Sequence, residues 1–142
     1  MIPFLYILNI RRWELCVTKY RRKMLLQQEH VRAFLLEVKK LVSRGKRTFI
    51  RRKGYKKPNG ETFNYLEALH DIGLTEISQA WDEVRTLKPQ HYIKGPCIDR
   101  DRPQEGKVLW IFKKEVNDVT TYIKLKINTA EGCVCLSFHR DW

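Results

Sequence analysis

The sequence predicts an α+β fold in which N-terminal helices pack on a C-terminal antiparallel sheet. Three observations predict it. Apolar residues between 31 and 42 recur with the period of a helix, those between 107 and 139 recur with the period of a strand, and Gly, Pro and Asn punctuate the stretch between. A length of 142 residues suits one domain. With 43% hydrophobic and 31% charged residues, the chain can build one core and is too apolar for a disordered tail.

Residues 1–23 read as an N-terminal extension and residues 24–142 as the domain proper. The extension opens with an apolar run that precedes its charges, the reverse of a secretory signal, and the run is too short to span a bilayer. Because regular periodicity begins only after Met24, these residues read either as an over-extended gene start or as an extension that packs as a strand.

In "EHVRAFLLEVKKLVSRG", Val31, Phe34, Leu35, Val38, Leu41 and Val42 form one stripe of a helix. Glu29 suits its start and Gly45 its stop. Lys39, Lys40 and Arg44 sit at the negative end of the helix dipole.

The segment "KRTFIRRKGYKKPNG" follows, with seven basic residues, no acid, two aromatics and a closing turn signal. It reads as an extended arm. Arg51, Arg52 and Lys53 can neutralise phosphates, while Phe49 and Tyr55 either stack on unpaired bases or anchor the arm to the core.

Two further helices are expected. The first covers about 61–72, with Phe63, Leu66 and Leu69 inward and Gly73 behind it. In the second, "TEISQAWDEVRTLKP", Thr75 caps, Ile77, Ala80, Trp81, Val84 and Leu87 make the stripe, and Pro89 ends it. His70 reads as a packed or surface histidine rather than a ligand.

The stretch "HYIKGPCIDRDRP" contains a glycine and two prolines that forbid a long helix, and it reads as a loop presenting Tyr92, Lys94, Asp99, Arg100 and Asp101. Three strands come after it. "KVLWIF" is a nearly continuous apolar run, and "TYIKLKI" alternates Ile123, Leu125 and Ile127 with Tyr122, Lys124 and Lys126. In "CVCLSFH", Val134, Leu136 and Phe138 point inward, with Ser137 and His139 outward. Neighbouring strands then place a tyrosine, two lysines and a histidine on one sheet face.

Charge narrows the partner. Residues 1–60 carry 17 Lys or Arg against 3 acids, a net of +14, whereas residues 61–142 carry 11 against 13, a net of −2. This asymmetry favours a polyanion. Nucleic acid comes before membrane, since no long amphipathic helix with a tryptophan-rich face is expected beside the charge. Cys16, Cys97, Cys133 and Cys135 show no CxxC spacing, which favours reduced thiols in a cytoplasmic compartment over a disulfide framework or a metal site.

"EVKKLVSRG", Gly73-Leu74, "HYIKGP", the Trp110 strand, "TYIKLKI" and the closing "SFH" resemble the MqsR-type toxins, bacterial mRNA interferases with a RelE-like fold. The likeness covers about residues 30–139 and is sharpest over the last fifty residues of the chain. It implies a ribonuclease that cleaves messenger RNA without a cofactor and is held inactive by a cognate antitoxin. The family's active-site lysine matches Lys94, and its strand tyrosine matches Tyr122. Its glutamine after the tryptophan falls on Ile111 and its C-terminal lysine on His139, two departures that put the cleavage specificity in doubt more than the fold.

Metal-free RNA cleavage uses the neighbouring 2′-hydroxyl as nucleophile. It needs a base, an acid for the leaving 5′-oxygen, and cations for the charge that develops on phosphorus. Lys94 and Lys124 suit the electrostatic role, and Tyr122 and His139 suit proton movement. Lys126, Arg51, Arg52, Lys53 and Tyr92 complete the expected RNA-binding set. A non-catalytic basic regulator of RNA or DNA is the alternative, followed by a small interaction module whose charge only keeps it soluble.

Overall fold

A computed structural model describes residues 4–142, with side chains from residue 17 onward. Helix α1 spans Phe4–Ser43 and strand β1 spans Arg47–Phe49. They are followed by β2 (Tyr55–Lys56), β3 (Thr62–Phe63), α2 (Tyr65–Asp71) and α3 (Ile77–Arg85), and then by β4 (Tyr92–Ile98), β5 (Lys107–Val116), β6 (Val119–Asn128) and β7 (Gly132–Arg140). The main sheet has the order β1-β7-β6-β5-β4. Its pairings are antiparallel except at the three-residue β1, which joins β7 in parallel. The expected α+β class, with helices packed on a C-terminal sheet, is the class observed.

Helix α1 is longer than its periodicity indicates. No Gly or Pro interrupts residues 4–43, so nothing stops the helix upstream. Glu29 is therefore interior rather than at the start, and residues 4–23 continue the helix instead of packing as a strand. A long helix thus does accompany the basic half. The buried stripe of α1 begins at Val31: Val31, Leu35, Val38 and Val42 are buried, whereas Tyr20, Met24, Leu25 and Leu26 are exposed. The expected stripe is the buried one, with Phe34 and Leu41 packed at its margin.

Helix α2 begins at Tyr65, later than expected, because Phe63 and Thr62 are taken into pairing with Tyr55 and Lys56. Asn64 caps it. The Glu67 N–H donates to Asn64 Oδ1 at 2.8 Å, and the Asn64 N–H donates to Glu67 Oε1 at 3.2 Å. Starting there, the helix turns Ala68 and Leu69 to the core and leaves Leu66 exposed, contrary to expectation. In α3 and the turn that follows it the stripe Ala80, Trp81, Val84 and Leu87 is buried as expected. The residue preceding that helix is Glu76, not Thr75. Gln79 Oε1 accepts from the N–H groups of both.

The segment expected as a loop is mostly strand. Residues 92–98 pair with β5 through repeated register shifts, which is how an edge strand accommodates a glycine and a proline. Gly95 sits at φ +132 with its Cα close against β5, where a Cβ would come 2.6 Å from the Leu109 carbonyl oxygen. A second shift, between Lys124 and Leu125 opposite β7, inserts Leu136 as an extra residue. The β7 pattern therefore differs from expectation. Cys133 and Cys135 share the core face with Phe138, while Val134 pairs with Lys126 on the other face. The core lies between the helices and one sheet face, centred on Phe112, Ile123, Leu125 and Phe138.

Candidate active site on the open face of the sheet

Helices cover one face of the sheet. Phe34 of α1 stacks on Trp110 at 4.6 Å, and the rings of Phe49 and Trp81 meet nearly at right angles at 6.1 Å. Residues that alternate with the core-facing ones emerge on the opposite face. Register aligns them in two rows. Lys94, Ile111, Lys124 and Ser137 are successive partners across β4 to β7, and Lys113, Tyr122 and His139 are partners across β5 to β7.

Lys94, Ile111, Tyr122 and Lys124 line one cleft of about 390 Å³, closed on one side by Asp99, Arg100 and Asp101. His139 lies one strand over, with its ring 5.2 Å from that of Tyr122 and 20° from parallel. Of the anticipated catalytic residues, Lys94 and Tyr122 share the cleft and His139 neighbours Tyr122, while Lys94 and His139 stand on β4 and β7 with two strands between them. A larger cleft of about 670 Å³, at the turns containing Lys46 and Asn128, holds none of them.

The site is electropositive and half-buried, and both properties shift its proton equilibria. Burial chiefly, helped by the charges of Arg52 and Lys124, lowers the His139 pKa below its ordinary value, although the Arg140 carbonyl opposes the shift. Since a carbonyl only accepts, Nδ1 carries the proton in its 2.7 Å bond to Arg140. Neutral His139 therefore has its lone pair on Nε2. Burial also raises Tyr122, and it lowers Lys124 with help from Arg52 and Lys94 against the opposing charges of Asp99 and Asp101.

Other expected members are placed differently. Lys126 is buried and held by Asp99 at 3.2 Å and Glu105 at 3.1 Å, which leaves its charge unavailable to a phosphate. That ion pair is structural. It fixes residues 99–105 as the cleft wall. Burial pushes Asp99 up, yet the hydrogen bonds from Lys126 and the Asp101 N–H outweigh it and the net shift is downward. Tyr92 packs on Trp110 and Phe112 of the helix-covered face. Its hydroxyl donates to Gly95 O and accepts from Gln27 Nε2, each at 2.7 Å, so it anchors the strand rather than joining the cleft.

Of the basic arm, Arg51 and Lys53 are exposed, whereas Arg52 is half-buried with its guanidinium 5.3 Å over the Tyr55 ring. Phe49 and Tyr55 act as anchors. Tyr55 is buried, accepts from the Phe138 N–H at 3.3 Å, and meets the His139 ring at 4.9 Å. Its place beside His139 is not legible in the sequence, because no local pattern indicates which strand the arm will reach. Trp142, stacked on His139 at 4.4 Å, escapes sequence reasoning too; an aromatic residue just past a strand is its one signal.

Cys133 and Cys135 share a face as expected, and burial pushes the Cys133 thiol up to about 12 and the Cys135 thiol well above its ordinary value. The side chain of Cys16 lies outside the described residues. His70 is on the surface. Among the described residues no three of His, Cys, Asp and Glu gather as a metal-ligand set, and no helix is long and apolar enough to cross a membrane. Compared with protein-family models, curated proteins and solved structures, the chain matches none.

Proposed function

We propose that this chain is a metal-independent endoribonuclease, an mRNA interferase toxin of a type II toxin-antitoxin system that cleaves RNA through its 2′-hydroxyl. One observation carries the reading: Lys94, Tyr122 and Lys124 line a single cleft, with His139 stacked on Tyr122 at its side. These are the cations and proton carriers that the reaction needs, and Lys94 and Tyr122 are the two residues that match the MqsR-type motif.

The division of labour follows from the proton equilibria. His139, neutral near pH 7 with its lone pair on Nε2, takes the 2′-hydroxyl proton. Lys94, Lys124 and Arg52 hold the phosphate and the charge that develops on it. One such donor is worth on the order of 3 kcal/mol, or about a hundredfold in rate. Tyr122 keeps its proton and donates a hydrogen bond, and Lys124, whose proton is loosened by burial, serves the leaving 5′-oxygen. Ile111, in place of the family glutamine, gives the cleft an apolar floor, so the base must be read elsewhere. The partners under this reading are messenger RNA and a cognate antitoxin in the cytoplasm.

The test incubates purified protein with RNA in chelator and looks for fragments ending in a 2′,3′-cyclic phosphate. Only attack by the internal hydroxyl makes that end. Cleavage that requires added metal removes the metal-independent mechanism, and tight RNA binding without cleavage removes the nuclease reading. The second outcome supports a non-catalytic RNA- or DNA-binding regulator, a reading favoured by the net charge of +14 on residues 1–60.

A further inference from the structure

Trp142 ends a column of rings. Its indole lies 4.4 Å from the His139 imidazole and 12° from parallel, and His139 in turn stacks on Tyr122. The rings of Trp142 and Phe63 meet at 5.1 Å and 80°. With these two rings against it, Trp142 is still 44% exposed. Two cations border the column: Lys57 Nζ lies 5.2 Å over the Phe63 ring, and the Arg52 guanidinium lies over Tyr55. A fixed aromatic face with cations around it is what an unpaired base and its phosphates require. An exposed indole has no comparable use for the core.

We propose that the outer face of Trp142 is a base-stacking subsite, where a base of single-stranded RNA beside the cleaved bond extends the column Tyr122–His139–Trp142 by one plane. The inference rests on the reading of the neighbouring cleft as an RNA site. It adds a position and a chemistry: one base is gripped by its π face, with purines favoured for their larger area, and its hydrogen-bonding edge is not read.

The test uses an eight-nucleotide single-stranded RNA with 2′-O-methyl groups throughout, which internal attack cannot cleave, and measures its affinity by fluorescence anisotropy. Trp142→Ala is expected to weaken binding about 5- to 150-fold, the range for one stacked base, and Trp142→Phe to retain most of it. An abasic site walked along the RNA should weaken binding to the wild-type chain by a similar factor at one position. At that position it should cost Trp142→Ala nothing further. Equal affinities of wild type and Trp142→Ala, or abasic losses that add fully to the Trp142→Ala loss at every position, overturn the subsite. If Trp142→Ala melts early, Trp142→Leu, which keeps apolar bulk without a π face, replaces it in the cycle, and the abasic series on wild-type protein is unaffected. Because this RNA cannot be cleaved, the result is independent of the cyclic-phosphate assay, and the nuclease reading and the subsite can fail separately.

Discussion

Tyr122 and His139 face each other directly across β6 and β7, with their rings 5.2 Å apart and nearly parallel. The pairing puts a phenol and an imidazole beside two lysines without any loop to position them. Strand register alone sets the spacing, so small changes to these side chains should alter chemistry and leave the fold in place.

Lys94→Ala and Tyr122→Phe are each expected to abolish or greatly reduce growth arrest on expression, with about a hundredfold loss of cleavage rate for the lysine. Both side chains are only partly buried or exposed. Circular dichroism should therefore be unchanged. A variant that is folded and still toxic at the wild-type level counts against the site.

The pH profile tests His139. Burial holds its pKa below 6.5, so the base form is present from below that pH upward, and the acidic limb of kcat/KM should lie under pH 6.5. Arg52 lowers the same pKa, so Arg52→Gln should move the limb to higher pH. Stability has the matching sign. The unfolded chain binds the proton first, so the His139 contribution is full above about pH 6.5 and declines as pH falls toward the folded pKa. A limb unmoved in Arg52→Gln argues against this electrostatic coupling.

Lys124 and Lys126 are two residues apart on one strand and should behave differently. Lys126→Ala leaves Asp99 buried without its cation and is expected to cost about 3–5 kcal/mol of stability. Lys124→Ala should melt close to wild type and lose cleavage. Urea unfolding of the two variants separates the structural from the chemical lysine, and equal unfolding midpoints would show the assignment to be mistaken.

The salt dependence of RNA affinity reports on the arm. Changing Arg51, Arg52 and Lys53 together to alanine should lower the slope by about 0.7 log unit per log salt for each phosphate that the arm no longer neutralises. An unchanged slope leaves them as a solvated face.

A chain beginning at Met24 should keep its melting temperature within about 4 °C of the full chain, the shift expected from roughly 1 kcal/mol. The residues described upstream of Met24 are exposed or half-buried, and the buried stripe starts at Val31. A larger fall would make the upstream helix part of the domain.

What the sequence makes legible here is what local periodicity governs. Val31 to Val42 and Ile77 to Leu87 show their buried faces because each stripe has one partner surface, and Tyr122, Lys124 and His139 share a face because strands alternate. Long-range pairing is not written locally. Nothing near Arg52 and Tyr55 indicates that β1 will run parallel beside β7 and bring them to His139, and nothing near Leu136 reveals the extra residue that reverses the faces of Val134 and Cys135. Lys126 looks like Lys124 in the alternation, and only the fold of residues 99–105 over it distinguishes them. The strand character of 92–98 is hidden because Gly95 and Pro96 signal a turn, while an edge strand absorbs both in its register shifts.

The outermost strands of the sheet also limit how another protein can attach. On one side β1 offers three residues, and on the other β4 is broken by successive register shifts around a proline that has no N–H to give. Neither presents an uninterrupted row of backbone donors and acceptors on which a foreign strand could zip. Overproduced chain should therefore resist seeding itself into stacked ribbons through the ends of this sheet.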